Sequence, residues 1–209
     1  MLDSARELFV AHGYAATTME RIAEHAGVAV QTLYYTFQTK GQMLCEVVEV
    51  TAAGEEQPVP VAQRPWMQEM LTATSGQRIL ALGVEHGTDI FERAAPLWPA
   101  VTAAVADPHV AQYWRGVAAN RRAGQRRMVA RLDELGALRD GLDVNRATDL
   151  VVVLFGHDVF RGMVIEVGWS VPDYKAWIFP TLVQQLMQRP RLAPSAFADL
   201  SYGPLLAKP

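Results

Sequence analysis

Thr18-Met19-Glu20-Arg21-Ile22-Ala23-Glu24-His25-Ala26-Gly27-Val28-Ala29-Val30-Gln31-Thr32-Leu33-Tyr34-Tyr35-Thr36-Phe37 reads as two short helices joined by a tight turn. Thr17 or Thr18 can cap the first of them. Gly27 supplies the positive φ that such a turn needs without a steric penalty. Ala23 is small where the two helices must approach closely, and Ile22, Ala26, Val28, Leu33 and Phe37 make an apolar core between them. Val30, Gln31, Thr32, Tyr34, Tyr35 and Thr36 are left pointing outward from the second helix.

A helix pair of this kind is a helix-turn-helix, whose second helix enters the DNA major groove. Working outward, Leu2, Ala5, Leu8 and Phe9 form the stripe of a preceding helix closed by Gly13, and Thr39 caps a following one with Leu44, Val47, Val48 and Thr51. Glu7-Leu8-Phe9, His12-Gly13-Tyr14, Thr17-Thr18, Ile22-Ala23, Ala26-Gly27-Val28, Thr32-Leu33-Tyr34 and Phe37 with Lys40 resemble the DNA-binding domain of TetR-family transcriptional regulators. That resemblance covers about the first 50 residues. It implies that Thr17 and Thr18 hydrogen-bond a phosphate, and that Gln31 and Tyr35 read base edges. Val30 would meet a thymine methyl, and Thr32, Tyr34, Thr36 and Lys40 would reach phosphate oxygens. The sequence departs from the family at Ala29, where relatives often have a capping serine, and at Thr36, where histidine is frequent. A basic arm ahead of the first helix, common in relatives, is not expected either. Residues 1–40 carry three basic groups against four acids, so nonspecific DNA binding is expected to be weak.

The remainder is expected to be helical too, giving an all-α fold. The stretch Gly54–Pro65 contains Pro58, Pro60 and Pro65, which together break any continuous helix. The reading is therefore an N-terminal helix-turn-helix domain over 1–53, a junction over 54–65, a larger helical body over 66–190 and an irregular tail over 191–209. Helices are expected at about 66–73, 76–94, 96–106, 108–136, 144–168 and 172–188, with Asp107-Pro108 and Asp143 as starts and Gly136 and Gly141 as stops. Gly136–Asp143, Ala147–Leu150 and Gly168–Trp177 resemble the C-terminal region of many TetR-type regulators, in which the last two long helices form a four-helix dimer interface. The apolar stripes of 144–168 and 172–188 exceed what one intramolecular face needs, so a homodimer through them is expected. Two recognition helices on a two-fold axis call for a palindromic operator. An amphipathic small-molecule effector of unknown identity is expected among Trp66, Met70, His86, Trp98, Tyr113, Trp114 and Arg121.

Composition excludes other classes. Half the chain is apolar and a fifth charged, enough for a sizeable core. The net charge of −3 argues against a nonspecific nucleic-acid coat. The longest uncharged apolar-rich run, Ala94–Ala106, holds two prolines and falls short of the roughly 20 residues a membrane span needs. Cys45 is the single cysteine, which with the lack of a targeting segment suggests a cytoplasmic protein. The histidines at 12, 25, 86, 109 and 157 lack metal-ligand spacing, and no glycine-rich phosphate loop or nucleophile elbow occurs. No cofactor, metal or enzymatic activity is expected. The alternative is a helical ligand-binding protein with a degenerate DNA-binding domain, which the acidic balance and Ala29 motivate.

Overall fold

The computed structural model describes residues 1–54 and 63–188; most of the proline-rich junction and the tail lie outside them. The described residues hold eleven α-helices: α1 (Leu2–Ala16), α2 (Met19–Ala26), α3 (Val30–Phe37), α4 (Lys40–Ala53), α5 (Pro65–Thr72), α6 (Gly76–Ala94), α7 (Trp98–Ala103), α8 (Pro108–Glu134), α9 (Val144–Leu154), α10 (His157–Phe160) and α11 (Val171–Leu186). None is long and apolar enough to cross a membrane.

Helix starts follow local chemistry. Thr18 caps α2 by accepting the Arg21 amide, and Thr39 caps α4 by accepting that of Gln42. Asp107, Asp143 and Ser170 do the same for α8, α9 and α11. Gly13 interrupts α1 with φ 74°, and Gly27 closes α2 in the left-handed region with φ 66°. Ala29 precedes α3 with no side-chain cap, as its methyl dictates.

Two cores result. The first joins Phe9, Ile22, Leu33, Met43 and Leu44 to Leu97, Ala100 and Val101 of the α7 region and Val110 of α8. The N-terminal helices therefore do not close on themselves; they share their interior with the C-terminal body. The second lies among α5, α6, α8, α9 and α11, where Phe91, Phe155, Phe160 and Tyr174 form an aromatic chain with centroid spacings of 5.2–5.9 Å.

The helix expected over 144–168 is not continuous. It stops at Phe155, passes through extended Gly156 (φ −117°, ψ 161°), resumes as the single turn α10, and runs on as a π-helical stretch over Arg161–Glu166. The break is held from outside: the Gln125 side-chain amide donates to the Phe155 carbonyl at 3.1 Å. The 96–106 helix is likewise shorter than expected, because Ala95–Leu97 form a 3₁₀ turn ahead of α7.

Candidate nucleic-acid interface and effector site

The α3 helix has one inner and one outer face. Leu33 and Phe37 are buried, whereas Gln31, Thr32, Tyr35 and Thr36 are exposed. Tyr35 is 90% exposed, an unusual position for a large ring without a partner surface. Val30 is half-buried and packs against the first core. Thr36 donates to the Thr32 carbonyl one turn back. Tyr34 is 45% exposed and its hydroxyl reaches Glu20 Oε1 at 3.3 Å, which ties α3 to α2. Thr18 is exposed at the start of α2.

Two residues assigned to phosphate have their side chains spent internally. Thr17 is fully buried, and its hydroxyl lies 3.1 Å from the Leu8 carbonyl and 2.8 Å from that of Gly13. The Thr17 hydroxyl thereby bonds to carbonyls on both sides of the α1 kink at Gly13. Lys40 donates to the carbonyls of Tyr14 (2.8 Å) and Thr17 (2.9 Å), with its ammonium 4.1 Å above the Tyr14 ring. Partial burial holds its pKa below the usual lysine value, while Asp107 opposes the shift. Lys40 is thus a clamp between α1 and α4 that uses two of its three N–H donors. Lys40→Met is expected to lower Tm without changing the salt dependence of DNA binding, which melting curves and mobility shifts at two ionic strengths check.

The clamp continues into the C-terminal body. The Tyr14 hydroxyl donates to Asp107 Oδ2 at 2.9 Å, and burial with this bond raises its pKa, so it stays a donor. The other Asp107 oxygen accepts the amides of His109 and Val110 at the head of α8. A second tie lies at the far end of α4, where Arg93 of α6 donates twice to the Ala52 carbonyl, at 3.1 and 2.9 Å. Cationic groups at a helix C-terminus complement its dipole.

The residues assigned to an effector fall into separate places. Trp66 stacks on His86 at 4.9 Å beside Arg64 and Arg93, lining a pocket at the seam with α4. Met70 is buried in the second core. Tyr113 packs against the first core instead, and its pKa is raised by burial and by Glu49 of α4. Trp98 and Trp114 both stand edge-on to His157, at 5.0 and 5.3 Å. Arg121 reaches the nearby break: a Cβ added at Gly156 would lie 3.0 Å from its Nη1. Sequence reasoning did not single out His157, Gln125, Thr88 or Tyr174 as members of this interior. The signal for Gln125 was present, since it lies one helical turn beyond Arg121 on the same face.

Other candidates resolve as structure. Arg122 pairs with Asp149 at 2.6 Å, Arg126 with Asn145 at 3.0 Å, and Arg131 with Glu134 and the Ala73 carbonyl, so these three arginines of α8 brace it against its neighbours. Cys45 is buried, which with Asp107 nearby pushes its thiol up to about 11 and leaves it unreactive.

Residues 1–47 match the model of the tetR family of bacterial regulatory proteins. No curated protein matches the chain. Among solved structures, the transcriptional regulator FadR from Bacillus subtilis, in complex with stearoyl-CoA, is similar at 17% identity and TM-score 0.67, covering 88% of this chain and 96% of its own. SmeT, the repressor of the Stenotrophomonas maltophilia multidrug efflux pump SmeDEF, gives 19% identity and TM-score 0.65, covering 93% of this chain and 92% of its own. A SmeT–triclosan complex gives 19% and 0.68, covering 99% and 97%. Residues 1–47 thus match the tetR family of bacterial regulatory proteins, and the chain as a whole has the fold of these solved regulators.

Proposed function

We propose that this chain is a DNA-binding transcriptional regulator, a repressor that holds a palindromic operator as a homodimer and releases it when a small-molecule effector binds. The observation that carries the reading is the outer face of α3: Gln31, Thr32 and Tyr35 project from a helix whose other side is anchored by fully buried Leu33. A rigidly seated helix with hydrogen-bonding and aromatic groups outward suits major-groove readout. The net negative charge is compatible with it, because base readout rests on a few placed side chains rather than a basic surface.

A mobility-shift assay with the DNA flanking the gene tests this. A sequence-selective shift at low salt is expected, and its absence sinks the proposal in favour of a ligand-binding protein with a degenerate DNA domain. Gln31→Ala and Tyr35→Ala should each cost about 1–3 kcal/mol of operator affinity and relax preference at particular base pairs. A uniform loss across all sequences would instead make them phosphate contacts.

The effector half of the proposal is supported by the likeness to regulators solved with stearoyl-CoA and with triclosan. Trp98, Trp114 and Arg121 at the α9–α10 break, and Trp66 with His86 at the α4 seam, are the effector residues we retain. Met70 would line the same interior from α5, and Tyr113 would sense the first core. A ligand acts only by binding one arrangement of the two halves better than the other.

A further inference from the structure

Four buried side-chain atoms have no hydrogen-bond partner among the described residues: Thr88 Oγ1, Arg121 Nη1, Gln125 Oε1 and Tyr174 Oη. All four belong to the C-terminal body, and none to the DNA-binding helices. Buried polar atoms are nearly always satisfied, so these four need an explanation. Arg121 is the most costly of them. Its buried Nη1 has no acceptor among the described residues, and burial holds its pKa below the usual arginine value. The nearest carboxylate named against it, Asp158, is exposed and sits 3.3 Å from His157 Nε2 instead. Arg121 as a whole is half-buried, and leaving the buried end of its guanidinium without an acceptor is unfavourable, an arrangement met at functional sites.

The neighbours specify what would pair with it. Gln125, only 9% exposed, spends its amide on the Phe155 carbonyl and leaves Oε1 as an unfilled acceptor one turn from Arg121. Trp98, Trp114 and His157 supply ring edges beside the same break. Extended Gly156 and the π-helical stretch after α10 interrupt the helix here, and π segments recur at functional sites. We propose that this niche takes an aromatic carboxylate, its acid group pairing with Arg121 and its ring lying among Trp98, Trp114 and His157. The inference rests on the effector reading above and names the chemical class of the effector.

Two measurements on the full chain test it. Arg121→Gln removes the guanidinium whose buried Nη1 lacks an acceptor and should raise the Tm of the ligand-free protein by about 2–4 °C. A fall in Tm shows that Arg121 is a structural brace and overturns the proposal. Benzoate should raise the wild-type Tm where neutral benzamide does not, and should bind Arg121→Gln at least about tenfold more weakly. Arg121→Lys should keep part of the response, and Arg122→Gln, which removes a surface pair with Asp149, should keep all of it. No response to benzoate, or an equal response to benzamide, overturns the carboxylate assignment. The effector reading fails on a different result: a protein–operator complex that neither benzoate, nor benzamide, nor a broad library of neutral and cationic compounds dissociates.

Discussion

Val153→Asp is expected to convert the proposed homodimer into a monomer and to weaken operator binding by about 10²–10⁴-fold, the range that loss of bivalency removes. Val153 is 67% exposed on α9, and Ile165 and Val167 at the end of the π-helical stretch are 59% and 66% exposed. Val153 lies in an open groove together with Leu142, Leu150 and Leu154, rimmed by Arg139, Arg146 and Asp149. An apolar floor with a charged rim is the anatomy of a protein interface. On a two-fold interface each substitution appears twice, so an aspartate there is buried opposite apolar surface or its own copy. Both outcomes cost several kcal/mol without a compensating partner. Light scattering reads the oligomeric state directly, and mobility shifts on whole and half operators separate the effects. Half-site affinity should be unchanged. A Val153→Asp protein that remains dimeric places the interface elsewhere.

The parts legible in the sequence are those that local chemistry determines. The expected 76–94 helix coincides with Gly76–Ala94, and the starts at Thr18, Asp107 and Asp143 are set by side chains that reach only two or three residues along the chain. The interruption at Phe155–Gly156 was not legible. A lone glycine in an apolar helical pattern is tolerated, and what stabilises the break is Gln125, thirty residues away. Lys40 is a related case. Its position relative to α3 resembles that of a phosphate ligand, but the Gly13 kink presents two carbonyls within its reach. In the candidate effector region the stripe that Arg121 interrupts could be read from spacing. That its Nη1 lacks a hydrogen-bonded acceptor could not, since that depends on where Asp158 points.

Gly41→Ala is expected to destabilise the protein by about 1–3 kcal/mol, against the sign that helix propensity alone gives. Within α4, replacing glycine by alanine ordinarily stabilises by about 0.5–1 kcal/mol. Gly41, however, is buried against the Asp107 carboxylate, and an added Cβ would lie 2.5–2.6 Å from its three terminal atoms. That carboxylate cannot swing aside freely. One oxygen holds the amides of His109 and Val110, and the other holds the Tyr14 hydroxyl. Displacing it removes the α8 cap, a loss of about 0.5–2 kcal/mol, and leaves the Tyr14 donor half-buried and unpaired. The consequence reaches DNA binding, because Tyr14 also carries one of the two carbonyls that anchor Lys40, and Thr17 beside α2 carries the other. Gly41→Ala should therefore lower operator affinity as well as Tm, although its site faces α8 rather than DNA. Asp107→Ala should do the same. If both act by breaking one contact, the double variant is no worse than the more severe single one, a coupling that a double-mutant cycle on Tm and operator affinity measures. Additive losses would show that the two positions act independently and that Asp107 does not join α8 to the DNA-binding helices.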